Sequence, residues 1–179
     1  MSGERQQLRI YNSEFTIQKM RIRLISEGKT KDDHLRGLQA DYVKRIAHFT
    51  EFVWEEIQAA HRPASRARPE PGTASSLSSA ERCLLEKLRG GYKVFLDSRG
   101  RQWTSEEFAE WLGQQAVRGV RELTFLVGGR EGFSNAFRKE ADLLLSLSSL
   151  TLTRDWARTL LLEQIYRSFT ILRGYPYSR

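Results

Sequence analysis

Apolar and polar residues alternate in "MRIRLI", where Met20, Ile22 and Leu24 are separated by Arg21 and Arg23, and this period of two predicts a strand. The period then changes. In "DDHLRGLQADYVKRIAHF" the apolar positions Leu35, Leu38, Tyr42, Ile46 and Phe49 recur at helical spacing, which predicts an amphipathic helix. "EFVWEEI" predicts a second strand. Ser79 is placed to cap a helix over "AERCLLEKL", Gly90 and Gly91 end it, and "YKVFLD" has the run of apolar residues expected of a buried strand. Thr104 and Glu107 have capping-box spacing at the start of "SEEFAEWLGQQAV", and "LTFLV" predicts another buried strand. Ser134 caps a short helix, "LLLSLS" predicts a last strand, and the longest helix runs from about Arg154 to Leu172.

Strands that alternate with helices predict an α/β fold, a mainly parallel sheet with helices on both faces, and ligands of such sheets bind outside the carboxyl ends of the strands. Three loops follow predicted strand ends: "FLDSRG" at Leu96, "LVGGREG" at Val127 and "SLSSLTL" at Leu147. All are rich in Gly, Ser and Thr, and no histidine lies near Ser98, Ser148 or Ser149 in sequence, so a nucleophile paired with a base is not indicated. The middle loop, "FLVGGREGFS", holds Gly128, Gly129 and Gly132 directly after a strand, as where the backbone turns sharply or a ligand approaches it closely. It matches neither the G-x-G-x-x-G of dinucleotide sites nor the G-x-x-x-x-G-K-[ST] of phosphate loops. A redox enzyme using a dinucleotide is therefore disfavoured.

Composition adjusts this picture in three places. Residues 61–76 carry three of the four prolines and form a flexible excursion within one domain, while residues 1–19 lack apolar periodicity and read as a poorly ordered extension before a single domain over 20–179. No apolar run is long enough to span a bilayer and no secretory signal is present, so a cytoplasmic protein with no membrane partner is expected. Cys83 stands alone and His34, His48 and His61 are widely spaced, so neither a disulfide nor a metal site is expected. The formal net charge of +7 favours a polyanionic partner. Near the C-terminus Arg154, Arg158, Arg167, Arg173 and Arg179 interleave with Trp156, Tyr166, Phe169, Tyr175 and Tyr177. That pattern suits phosphate contact with base stacking, and it equally suits a solvated helix face over core aromatics.

Four stretches, "VFLDSRG", "FLVGGREGFS", "LSLSSLTL" and "LLEQIYRSFTILRGYPY", in this order and spacing, resemble the RlmH family of SPOUT methyltransferases, and the resemblance runs from Met20 to Arg179. It implies the α/β-knot fold, with a trefoil knot in the C-terminal segment. It also implies S-adenosylmethionine-dependent methylation of N3 of a pseudouridine in 23S ribosomal RNA, by a homodimer acting on assembled ribosomes. Carried over position by position, Leu96, Gly128, Leu147, Ser148, Ser149, Leu150, Thr151 and Leu152 hold the cofactor. Arg167 and Tyr177 serve catalysis, and Arg154, Arg158, Ser178 and Arg179 contact RNA, with a structural role also open to Arg158. Thr153-Arg154 and Ser178 stand where the family usually has Pro-His and a histidine. A non-catalytic RNA-binding or ribosome-associated protein on the same knotted scaffold is the alternative reading.

Overall fold

The computed structural model describes residues 20–58, 77–129 and 132–177, so the expectations for residues 1–19, the 61–76 excursion, Ser178 and Arg179 lie outside the described residues. Five strands, β1 (Arg21–Glu27), β2 (Phe52–Ile57), β3 (Tyr92–Arg101), β4 (Glu122–Val127) and β5 (Leu143–Leu145), form one sheet in the order β2-β1-β4-β3-β5 with every pairing parallel. Parallel pairing needs crossovers, and helices supply them: α1 (Asp33–Ala47), α2 (Ser79–Lys87), α3 (Ser105–Val117) and the single turn α4 (Asn135–Arg138), while α5 (Arg154–Leu172) follows the last strand.

Both faces of the sheet are covered, which is why β4 is buried along nearly its whole length. Ile22, Leu24, Val94, Phe125 and Leu145 pack on one face against Ile46 of α1, Leu112 of α3 and Leu161, Ile165 and Phe169 of α5. Ile25, Phe95 and Leu126 pack on the other against Leu84 and Leu85 of α2, Phe133 and Phe137. Helix α5 lies against both α1 and α3. A capping box opens α2 through Ser78 rather than the expected Ser79: the Ser78 hydroxyl accepts from the Glu81 N–H while the Glu81 carboxylate accepts from the Ser78 N–H at 2.8 Å. Thr104 and Glu107 form the predicted box on α3, and Ser134 caps α4 as expected.

Strand β5 ends at Leu145, two residues before Leu147, and there the Ser146 N–H donates to the Arg101 carbonyl at 2.9 Å. Leu145 pairs with both Leu96 and Arg101, so the β3 segment between those residues arches past the end of β5. Gly100 makes the arch feasible, since a Cβ there would stand 2.5 Å from the Leu144 carbonyl carbon.

Candidate functional site

The ends of β3, β4 and β5 lie side by side because their registers align: Phe95 pairs with Leu126, and Leu96 pairs with Leu145. Asp97, Gly128 and Ser146 follow at the carboxyl edge of the sheet, one residue beyond Leu96, Val127 and Leu145. A cleft of about 240 Å³ opens at this edge, lined by Leu96, Asp97, Ser98, the run from Leu145 to Leu152, and Ala157 of α5. Seven of the eight residues assigned to the cofactor, Leu96, Leu147, Ser148, Ser149, Leu150, Thr151 and Leu152, thus meet in one place. Asp97, Ser98, Leu145, Ser146 and Ala157 complete the lining. Asp97, Ser98 and Ser146 belong to the loops that the strand-end rule marks and Leu145 ends β5, whereas nothing local in the sequence singles out Ala157.

The walls are held by short-range bonds. Ser148 Oγ accepts from the Leu150 N–H at 2.9 Å, and Ser146 Oγ donates to the Ser148 carbonyl at 3.0 Å. Among the described residues, no hydrogen bond engages the main-chain N–H groups of Ser149, Thr151 or Leu152. Leu150 is 76% exposed at the lip. Bare backbone donors, hydroxyls and exposed leucine together suit a ligand with a polar edge and an apolar body. This donor set fits S-adenosylmethionine.

Gly128, the eighth residue, is beside the cleft rather than in its wall. A Cβ at Gly128 would lie 2.8 Å from the Phe133 ring, and one at Gly129 would overlap the Glu27 carboxylate. These two glycines permit close packing of protein on protein, while Gly132, at φ +66°, is the one that makes the turn. Ser134 closes the loop, its N–H donating to Glu81 at 3.2 Å.

Arg158 is fully buried, which suits the structural role left open for it rather than contact with RNA. Its guanidinium donates to the Glu27 carbonyl at 2.5 Å and to Thr30 Oγ1 at 3.1 Å, tying α5 to the end of β1, with Asp155 at 3.4 Å. Burial pulls its pKa below the ordinary arginine value, and Asp155 opposes that shift. Arg154 is half-buried and donates to the same carbonyl at 3.2 Å.

Arg167 and Tyr177 form a second cluster. Arg167 pairs with Glu163 at 2.6 Å and lies 4.7 Å from the centre of the Tyr177 ring, which meets Tyr166 edge-on while its hydroxyl is 3.2 Å from that of Tyr42. Burial first, then the Tyr42 hydroxyl, raise the Tyr177 phenol far above its ordinary pKa, so near neutral pH it can donate a proton in a hydrogen bond but is no base. Arg167 lies ten residues beyond Ala157 on α5, about 15 Å along the axis at the usual helical rise. A single chain therefore does not bring this cluster to the cleft.

Residues 20–178 match the family model described as a predicted SPOUT methyltransferase. The chain is 39% identical over 161 residues to a ribosomal RNA large subunit methyltransferase H of Geobacter metallireducens, a match covering 88% of this chain and 98% of the relative. It is 35% identical to a protein of the same name from Streptococcus thermophilus, over 89% of this chain and 100% of the relative. The crystal structure of a probable methyltransferase from Bordetella pertussis Tohama I superposes with a TM-score of 0.51 at 15% identity, covering 90% of this chain and 98% of that one. That last similarity bears on the fold alone.

Proposed function

Because the chain belongs to the SPOUT methyltransferase family, among the ribosomal RNA large subunit methyltransferase H proteins, we propose that it methylates N3 of a pseudouridine in 23S ribosomal RNA. The observation that carries this reading is the cleft at the carboxyl edge of β3 and β5, where Leu96 and the run Leu147–Leu152 converge. S-adenosylmethionine, when bound, supplies an electrophilic methyl group on a sulfonium. The leucines pack its apolar surface, and the hydroxyls and free N–H groups of residues 148–152 hold its polar edges. What remains for the protein is to place the acceptor nitrogen in line and to favour loss of its proton.

Arg167 fits the second task. A guanidinium beside the base stabilises the anion formed as the N3 proton passes to solvent water, and Tyr177 offers a ring for stacking and a hydroxyl as donor. Arg154 at the start of α5, with Ser178 and Arg179 beyond the described residues, is assigned to the RNA. The separation of Arg167 from the cleft is met if a second copy contributes its Arg167 and Tyr177, so the working unit is a homodimer. The knot belongs to the same reading, and the arch of β3 past β5 is the crossing that supports it. Ribosomes in the cytoplasm are the substrate.

The direct test incubates the purified protein with ribosomes lacking the modification and S-adenosylmethionine labelled in its methyl group, then analyses nucleosides by mass spectrometry. Labelled N3-methylpseudouridine is expected. Cofactor binding without any labelled nucleoside would instead support the non-catalytic RNA-binding reading, which the engagement of Arg167 by Glu163 favours.

A further inference from the structure

Among the described residues, Asp97 is the one charged residue in the cleft lining; its neighbours there are leucines, serines, a threonine and an alanine. Its side chain is only 5% exposed and both carboxylate oxygens are occupied. Arg138 Nε donates to Oδ2 at 2.6 Å, and the Arg99 N–H donates to Oδ1 at 3.0 Å. Arg138 is itself 13% exposed and braced by Asn135 Oδ1 at 3.0 Å, so the guanidinium is held in place from the α4 side. One ion pair thus joins the arch of β3 to the segment that follows the glycine loop, and it cancels the formal charge that Asp97 brings to the wall of the cleft.

The two small molecules this cleft must hold in turn differ by one charge. S-adenosylmethionine is a sulfonium cation, and S-adenosylhomocysteine, left after methyl transfer, is a neutral thioether. A free carboxylate in the wall would attract the first and not the second, whereas a carboxylate neutralised by arginine favours neither. We propose that the Arg138–Asp97 pair sets the charge of the cofactor cleft, making Arg138 the residue that determines how far the cleft distinguishes cofactor from product. Arg138 is a positioning residue here, acting through Asp97. The inference rests on the assignment of the cleft to S-adenosylmethionine.

Calorimetry on the full chain at low ionic strength, with each of the two ligands, tests it. The readout is the ratio of the two dissociation constants, which a general loosening of the fold leaves unchanged. Arg138→Gln frees the carboxylate and should shift the ratio toward the sulfonium by about fivefold, the scale of one unit charge acting across a partly solvated cleft. Asp97→Asn leaves the arginine uncompensated and should shift it the opposite way. Arg138→Lys should retain the parental ratio, and adding Asp97→Asn to Arg138→Gln should restore it. Ratios unchanged in both single variants, or moved in the same direction by both, overturn the proposal. If Arg138→Gln does not fold, Asp97→Asn and Arg138→Lys decide by the same criterion. A parent protein that binds neither ligand overturns the cofactor assignment and this inference with it, whereas binding with an unmoved ratio overturns the inference alone.

Discussion

Gly128 illustrates how a residue can matter to a site without lining it. Valine there would drive its Cβ into the Phe133 ring, so Gly128→Val should lower stability by about 1–3 kcal/mol through overpacking and weaken S-adenosylmethionine binding at least several-fold. Pairing it with Phe133→Leu separates the two effects. Recovery of the unfolding midpoint without recovery of binding would show that the loop backbone itself serves the ligand, and joint recovery would assign Gly128 to packing. Arg158 makes the complementary case of a charged residue that serves the interior. Arg158→Ala removes the bonds to the Glu27 carbonyl and the Thr30 hydroxyl, which keep Arg154 and Gln39 as partners, and empties a fully buried volume, for an expected loss of about 2–4 kcal/mol in urea unfolding. An RNA-contacting arginine would have shown weaker ribosome binding with stability intact.

At the scale of elements, Glu81 joins the start of α2 to the end of the glycine loop, since it accepts from both Ser78 and Ser134. Burial acts to raise its pKa, but hydrogen bonds from Ser78 and Ser134 outweigh burial and hold it below the ordinary glutamate value. A carboxylate whose pKa is depressed by folding stabilises fully above its unfolded pKa of about 4.3, and the contribution fades as pH falls through the lower folded value. The parent should therefore exceed Glu81→Gln in thermal stability at pH 7 and converge with it near pH 3; a constant gap across that range would exclude the linkage. The element order and four of five helix starts are legible in the sequence because caps and periodicity are local signals. Helix α1 shows where periodicity misleads: Leu38, an expected apolar position, is 41% exposed, while Gln39 is fully buried. Gln39 is drawn inward by Thr30 and, from more than a hundred residues away, by Thr159 and the Asp155 carbonyl, partners that no helical periodicity predicts. The same holds for Arg158, and for Arg138, whose partner Asp97 lies 41 residues away.

For the whole molecule, a site shared between two copies predicts complementation. Mixed and refolded together, a Gly128→Val chain and a chain lacking residues 177–179 should regain roughly a quarter of the parental methyl transfer, because half of randomly formed dimers are mixed and each of those has one intact site. No recovery, with mixed dimers demonstrated by tagging, would place a complete site within each chain. The strand order has another consequence. Strand β1 lies inside the sheet, and Arg21 pairs with Glu122, a residue that leaves the ribosome about a hundred residues later. At roughly 5–20 residues per second, synthesis leaves one edge of β1 unpaired for roughly 5–20 s. During that interval Ile22, Leu24 and Ile25 form an open strand edge beside a nascent β2, the kind of surface that chaperones cover. Every newborn copy of this protein therefore spends those seconds dependent on its surroundings.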